Sequence, residues 1–518
     1  LNHLIIAPVL LPLLAGILLL LLRPFAIELR RLLSLLAVLG QVILAVTLLP
    51  VVHSGEILTY TLGNWAPPFG IVLVADRLAV WMLLTTALLA SFALLYALRG
   101  SDIRGRHFHV LFQLQLFGLN GAFLTGDLFN LFVFFEVLLL ASYGLLVHGG
   151  GRLRTRSGLH FVVINLAGST LFLFAAGTFY GVLGTLNMAD MAQKIALLPT
   201  EHLGPVKTAG LLLFAVFALK GALLPLHLWL PSAYANTSAP VAALFAIMTK
   251  VGAYSILRLE TLLFGSGAGA LAGMINHWLL PLALLTLLVG MLGALAASAL
   301  RQQIAYLVVA SVGSLLIAFA LGSSDGIAAG LYYLPHATFA GGAFFLLADS
   351  IAQRRGGLDD RFEPAGQLAD GRLLGGLFFL VAVLVGGLPP LSGFVGKWLT
   401  LQASITHPWM PWIMTVILLG SLLSIIALAR AGSVLFYRAE LVRPSPNRTG
   451  ALSLEVVPVV ALLLLCSALV LRGAAVDDYT RATATQLLQP AEYIEAVLGH
   501  DRNARTELSL NANGVSQP

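Results

Sequence analysis

Charge is scarce in this chain: only 10% of its 518 residues are Asp, Glu, Lys or Arg, while 59% are hydrophobic. Soluble domains carry roughly a quarter charged residues, so a water-soluble globule is excluded. Cysteine is scarcer still. The single thiol, Cys466, lies in the apolar run 457–471; it rules out an internal disulfide and any cysteine-built zinc or iron–sulfur site, leaving packing as its role. No phosphate-binding glycine loop, dinucleotide fingerprint, metal-ligand spacing or nucleophile motif occurs. The sequence therefore calls for no cofactor and no metal. The formal net charge is +6, but the basic residues sit in short loops between apolar runs. Membrane topology accounts for them there without a nucleic-acid partner.

What the chain has in abundance is apolar runs near the roughly 20 residues needed to cross about 30 Å of hydrocarbon. They predict an all-α integral membrane protein with about fourteen transmembrane helices, near 4–22, 32–52, 73–98, 108–125, 128–148, 158–183, 208–230, 239–260, 277–298, 302–322, 326–350, 373–401, 411–437 and 452–471. The first run has no basic segment before it and no cleavage site followed by a soluble domain, so it reads as a retained span. Arginines fall in every second loop: Arg23, Arg30 and Arg31; Arg99, Arg104 and Arg106; Arg152, Arg154 and Arg156; Arg301; Arg354, Arg355 and Arg361; Arg438, Arg443 and Arg448. Basic loops mark the cytoplasmic side, so both termini are expected on the outer side of a bacterial inner membrane. Residues 472–518 are too polar for another span and are expected to form a short amphipathic helix and a frayed tail.

Two runs are interrupted by glycine and proline, at Lys220-Gly221-Ala222-Leu223-Leu224-Pro225 and at Gly386-Gly387-Leu388-Pro389-Pro390-Leu391. Proline removes a backbone donor and clashes with the preceding turn. The seventh and twelfth spans should therefore be broken at membrane depth, around Pro225 and around Pro389 and Pro390. Broken helices at matching places in two halves point to an inverted repeat with a transport site near the midplane. The expected organisation is an N-terminal unit (1–107), a five-helix repeat (108–260), a second five-helix repeat (277–437), a last span (452–471) and the polar tail (472–518).

Few ionisable groups remain inside the apolar runs: Glu136, Lys220, Lys250, His336 and Lys397. Each lysine, and the glutamate, costs about 3 kcal/mol to place at a helix centre by insertion scales. A scaffold that moves no ions gains nothing from such groups. Desolvation disfavours the charged form of an ionisable side chain, so Glu136 and Lys220 facing each other stay charged, and separated each can exchange a proton. The five residues together are expected to form a proton relay, with Lys397, beyond the break in a helix running outward, nearer the outer access. A bland alternative is one inert Glu136–Lys220 ion pair locking two helices. His227 either passes protons to inner water or is satisfied by carbonyls freed at the break. Asp127 is expected to cap the fifth helix. Trp65, Trp278, Trp409 and Trp412 are expected at the interfaces, while Asp349 and Arg430 can snorkel to water.

The stretches Thr125-Gly126-Asp127-Leu128-Phe129-Asn130 to Glu136, Ala218-Leu219-Lys220-Gly221 to Pro225-Leu226-His227-Leu228-Trp229-Leu230-Pro231, Ala239-Pro240 to Lys250-Val251-Gly252 and Gly387-Leu388-Pro389-Pro390-Leu391-Ser392-Gly393-Phe394 to Lys397 resemble the antiporter-like subunits shared by complex I and Mrp cation/proton antiporters. The similarity extends over nearly the whole chain and is greatest to the D-type branch of the Mrp (Pha/Mnh) antiporter subunits. The resemblance implies fourteen helices, two inverted five-helix repeats, a Glu/Lys pair at Glu136 and Lys220, a central lysine at Lys250 and an outer one at Lys397. It implies a multisubunit Na⁺(K⁺)/H⁺ antiporter, with other membrane subunits as partners and protons and monovalent cations as cargo. The other assembly it fits is a proton-pumping subunit of respiratory complex I or a related membrane hydrogenase. After His336 the run Thr338-Phe339-Ala340-Gly341-Gly342 departs from the lysine that many relatives have there.

Overall fold

The computed structural model of the protein describes residues 2–366, 368, 370–438 and 452–499. Helix dominates. In chain order the helices are α1 (Ala7–Leu21), α2 (Ile27–His53), α3 (Arg77–Ala97), α4 (Phe108–Leu124), α5 (Leu128–Leu146), α6 (Arg152–Leu183), α7 (Met188–Ala196), α8 (Leu203–Gly221), α9 (Trp229–Asn236), α10 (Ala239–Phe245), α11 (Met248–Arg258), α12 (Asn276–Ala296), α13 (Leu300–Ala320), α14 (Ser324–Gln353), α15 (Gly371–Gly386), α16 (Ser392–Ala403), α17 (Met410–Gly432), α18 (Leu452–Leu471) and α19 (Gly473–Leu487). Among the described residues, ten helical stretches are long and apolar enough to cross a membrane, or eleven if the bent α18–α19 pair counts as one. Ala7–Leu21, Phe108–Leu124 and Gly371–Gly386 are shorter apolar helices.

Apolar side chains cover both the outside and the inside of this bundle, so burial and not hydropathy separates centre from rim. In the stretches Ala239–Leu263 and Ser324–Gln353, 94% of the apolar window is buried; in Ile27–His53 the figure is 33%. Thus α10, α11 and α14 are the central helices and α2 is peripheral. The central helices are also the irregular ones. Pro335 cannot donate to the Leu331 carbonyl, and the Trp81 indole takes that acceptor at 3.0 Å. Between α10 and α11 the chain tightens into three-residue turns, with Lys250 N–H donating to the Ile247 carbonyl at 3.0 Å, and past α11 it widens into a π-turn, Leu259–Leu263.

Both expected breaks are present. Helix α8 stops at Gly221, and Ala222 takes a left-handed φ of 56°; residues 222–228 are non-helical before α9 begins. Helix α15 stops at Gly386 with Gly387 at φ 77°, and α16 starts at Ser392. The Trp229 indole donates to the Leu219 carbonyl at 3.0 Å, satisfying one acceptor freed at the first break.

Two expectations change. The third span does not start at residue 73: Val72–Ala75 is a strand paired antiparallel with Leu58–Thr61, in the register Leu58↔Ala75. Its β-branched, fully apolar pattern suits a buried strand as well as a helix. Asp76 then caps α3, its carboxylate accepting from Ala79 N–H at 2.8 Å. The polar tail, in turn, carries two helices, α19 and residues 490–499, separated at Leu488–Gln489; residues 500–518 lie outside the described residues. Helix α19 bends 79° from α18 and packs across α3 and α14. Tyr479 there donates to the Arg77 carbonyl at 2.7 Å.

Asp127 caps α5 as expected, accepting from Asn130 N–H at 2.8 Å. Asp127→Ala is expected to cost about 1 kcal/mol, read as a lower midpoint in thermal unfolding of the detergent-purified chain; an unchanged midpoint would show the cap to be dispensable. Trp65, Trp278, Trp409 and Trp412 are exposed, and Cys466 is buried.

Candidate functional site

Glu136 projects from α5 and Lys220 from the last turn of α8, and they do not touch. Each is held by α6: the Ser169 hydroxyl donates to the Glu136 carboxylate, and the Lys220 ammonium donates to the Asn165 side-chain carbonyl at 3.2 Å. Asn165 and Ser169 are four residues apart, which puts them on one helix face. The two charges are thus separated by a polar strip and are not a locked ion pair. The Lys220 ammonium also lies 5.6 Å from the centre of the Phe135 ring, and it sits at the negative end of the α8 dipole.

Helices α8 and α11, which carry Lys220 and Lys250, cross backbone to backbone. A Cβ on Gly252 would come within 2.7 Å of Gly221 Cα and 2.8 Å of the Phe217 carbonyl, so only glycine permits this approach. Lys250 is fully buried and meets no carboxylate among the described residues; its ammonium donates to the Ser311 hydroxyl of α13 at 3.3 Å.

Ser311 leads into the second half. A cavity of about 30 Å³ is lined by Ser311, Tyr333, His336, Val385 and Lys397 among others. That volume holds about one or two water molecules, given that one needs some 10–15 Å³ on this measure. His336 is buried, with Nδ1 2.9 Å from the Ser392 hydroxyl at the start of α16. Lys397 reaches back into the break, donating to the Gly386 carbonyl at 3.0 Å and the Ser421 hydroxyl at 2.9 Å. Its ammonium therefore rests on the carbonyl end of α15, where the dipole favours a cation.

The structure puts Ser311, His336 and Lys397 around one cavity, with Lys250 bonded to Ser311, and sets Glu136 and Lys220 against one polar strip of α6. His227 stands apart in the first break, 7% exposed, its Nδ1 without a partner among the described residues. Asp349 accepts from Tyr96 at 2.8 Å, and Arg430 donates to the Leu295 carbonyl at 3.4 Å.

Sequence reasoning passes over Arg258 and Glu260, both buried. Arg258 pairs with Asp76 at 2.6 Å and lies 5.5 and 5.4 Å from the Tyr254 and Tyr493 rings. The available signal is the spacing: Lys250, Tyr254 and Arg258 recur every four residues and share a helix face. Glu260, in the π-turn, has one carboxylate oxygen with no partner among the described residues.

Residues 125–424, which carry every one of these side chains from Glu136 to Lys397, match the family model described as NADH:quinone oxidoreductase/Mrp antiporter, TM. The chain is 40% identical to the probable K(+)/H(+) antiporter D subunit of Rhizobium meliloti (strain 1021), over 97% of its own length and 98% of that protein's. The chain belongs to this family, in its D-type antiporter group. It is 38% identical to the Na(+)/H(+) antiporter D subunit of Bacillus subtilis (strain 168), over 96% and 99% of the two chains. Among solved structures, a chain of the Mrp complex from Dietzia sp. DQ12-45-1b superposes with a TM-score of 0.86 at 28% identity, covering 96% of this chain and 99% of that one. A chain of respiratory complex I from Thermus thermophilus gives 0.76 at 27% identity, over 93% and 99%. The protein is thus a multi-pass membrane member of a family shared by antiporters and complex I.

Proposed function

We propose that this D-type protein translocates protons within a multisubunit Na⁺(K⁺)/H⁺ antiporter of a bacterial inner membrane, along a relay of Glu136, Lys220, Lys250, His336 and Lys397. The observation that carries the reading is the small cavity shared by Ser311, His336 and Lys397, with Lys250 bonded to Ser311. It supplies what a proton path needs, which is ionisable groups linked through hydroxyls and room for water, in a place where isolated charge would be costly. Glu136 and Lys220, held apart on α6, form the switch: drawn together they hold each other charged, and apart each exchanges its proton. His227, its Nδ1 without a partner among the described residues in the first break, gives access to the inner side, and Lys397 to the outer side.

In this reading the three shorter apolar helices and α18 span the membrane alongside the ten longer stretches, giving fourteen spans, with α19 lying across α3 and α14. The two breaks, each at a glycine-ended helix, fit two inverted five-helix repeats at 108–260 and 277–437. Other antiporter subunits are the partners, and the chain is a transporter component rather than an enzyme. The names of the 40% and 38% identical relatives favour exchange with a cation over a redox-driven pump.

The test is cation-dependent acidification in vesicles containing the complete complex. Glu136→Gln keeps the shape and the Ser169 contact but holds no charge, so the initial rate is expected to fall by about two orders of magnitude, the scale of a lost proton-transfer group. A normal rate in a fully assembled complex would remove Glu136 from the path.

A further inference from the structure

The first two helices meet the α3–α4 connection at a basic pocket of about 290 Å³. Arg23, Arg30 and Arg106 line it together with His107, and Leu19 and Ile103 form its apolar side. Arg30 Nε is shut off from solvent with no hydrogen-bond partner among the described residues. No carboxylate among those residues pairs with Arg23, Arg30 or Arg106; the ion pairs in this region are those of Arg31 and His109. The one acid in the wall, Asp102, accepts from Arg31 at 2.7 and 2.9 Å and lies 3.2 Å from His109 Nε2. Burial pushes the Asp102 carboxyl up, but His109 and Arg31 outweigh it and hold it at about 2. It stays ionised and is already taken up by the Arg31 guanidinium and the His109 ring, which leaves the other three guanidiniums uncompensated.

Two helix starts add to this field. α2 begins after Ala26 and α4 after His107, neither with a side-chain cap, and Ile27, Phe108, His109 and Val110 line the pocket. The first N–H groups of a helix have no intrahelical acceptor and carry partial positive charge, which makes such an end a site for phosphate. The wall is also fixed in place: a Cβ at Gly105 would come within 2.7 Å of His148 Nδ1, and His148 Nε2 lies 3.1 Å from the Ser101 carbonyl. Beside the pocket, Leu18 and Leu21 of α1 and Leu29 and Leu32 of α2 are exposed, an apolar flank continuous with the spans.

We propose that this pocket binds the phosphodiester headgroup of an anionic phospholipid, with Arg23, Arg30 and Arg106 and the open ends of α2 and α4 around the phosphate and the acyl chains along the exposed leucines of α1 and α2. A free phosphate shares the headgroup chemistry but has no use for the apolar flank. Basic pockets between helices at the inner leaflet are suited to such lipids.

The test is native mass spectrometry of the full chain, alone and in its assembled complex, titrated with phosphatidylglycerol, phosphatidylcholine or inorganic phosphate. The first phosphatidylglycerol is expected to bind about tenfold or more tightly than phosphatidylcholine, given three cations near one phosphate. The triple variant R23Q/R30Q/R106Q is expected to lose that preference, and R23K/R30K/R106K to keep most of it. Equal binding of the two lipids to the unsubstituted chain would overturn the proposal, whatever the variants do. So would displacement of the lipid by inorganic phosphate, which would assign the site to a free anion, or loss of the preference in the assembled complex, which would assign it to an acidic neighbouring protein.

Discussion

Lys250→Ala is expected to abolish cation-dependent proton movement in vesicles carrying the complete complex, with the initial rate down by about two orders of magnitude or more. Lys250 is fully buried, and its ammonium donates to Ser311 at the edge of the cavity that His336 and Lys397 share. Alanine removes the proposed proton carrier and leaves the Ser311 hydroxyl bonded to the Val308 carbonyl at 2.7 Å, so that hydroxyl is not orphaned. Lys250→Arg separates a carrier from a structural cation. Arginine keeps the positive charge but does not release its proton in proteins. The arginine variant is therefore expected to assemble and to be as inactive as the alanine one. Transport at half the normal rate or more in either variant would take Lys250 out of the proposed relay.

The second large effect concerns stability. Arg258→Ala leaves the buried Asp76 carboxylate without its partner at 2.6 Å, and removing one member of a buried pair costs about 3–5 kcal/mol because the other charge stays uncompensated. Asp76 also caps α3, and Arg258 packs between the Tyr254 and Tyr493 rings, so the loss reaches α3, α11 and the C-terminal segment 490–499 together. The expected result is a strongly lowered thermal midpoint and poor yield of the purified chain. Asp76→Asn combined with Arg258→Met removes both charges and keeps most of the volume and the cap. The double variant is expected to recover much of the loss, and a double variant no better than Arg258→Ala would mean that packing, and not the unpaired charge, sets the cost.

The contrast between these two groups shows what kind of information each level holds. Lys250 stands out in the sequence because a lysine in the middle of the apolar run 239–260 has no local excuse: it is too far from either end of the run to reach water. Arg258 and Glu260 do not stand out because they lie near the end of the same run, where charge is ordinarily solvated, yet both are buried once the chain beyond folds over them. The strand at Val72–Ala75 is hidden for a related reason. An apolar run of four says only that the segment is buried, and its partner Leu58–Thr61 is more than ten residues away.

The sequence by itself determined that the chain lives in a membrane and where its helices break, because hydropathy, proline and glycine act locally. It also determined the family, since several motifs stand in order along the chain. Only the tertiary structure decided who faces whom: that Glu136 and Lys220 share a strip of α6 without touching, that Gly252 lets α11 lie against α8, and that Ser311 ties Lys250 to the cavity of His336 and Lys397. Those are contacts between side chains far apart in sequence, fixed by the packing of whole helices, and in a chain apolar on every face no periodicity marks which side of a helix turns inward.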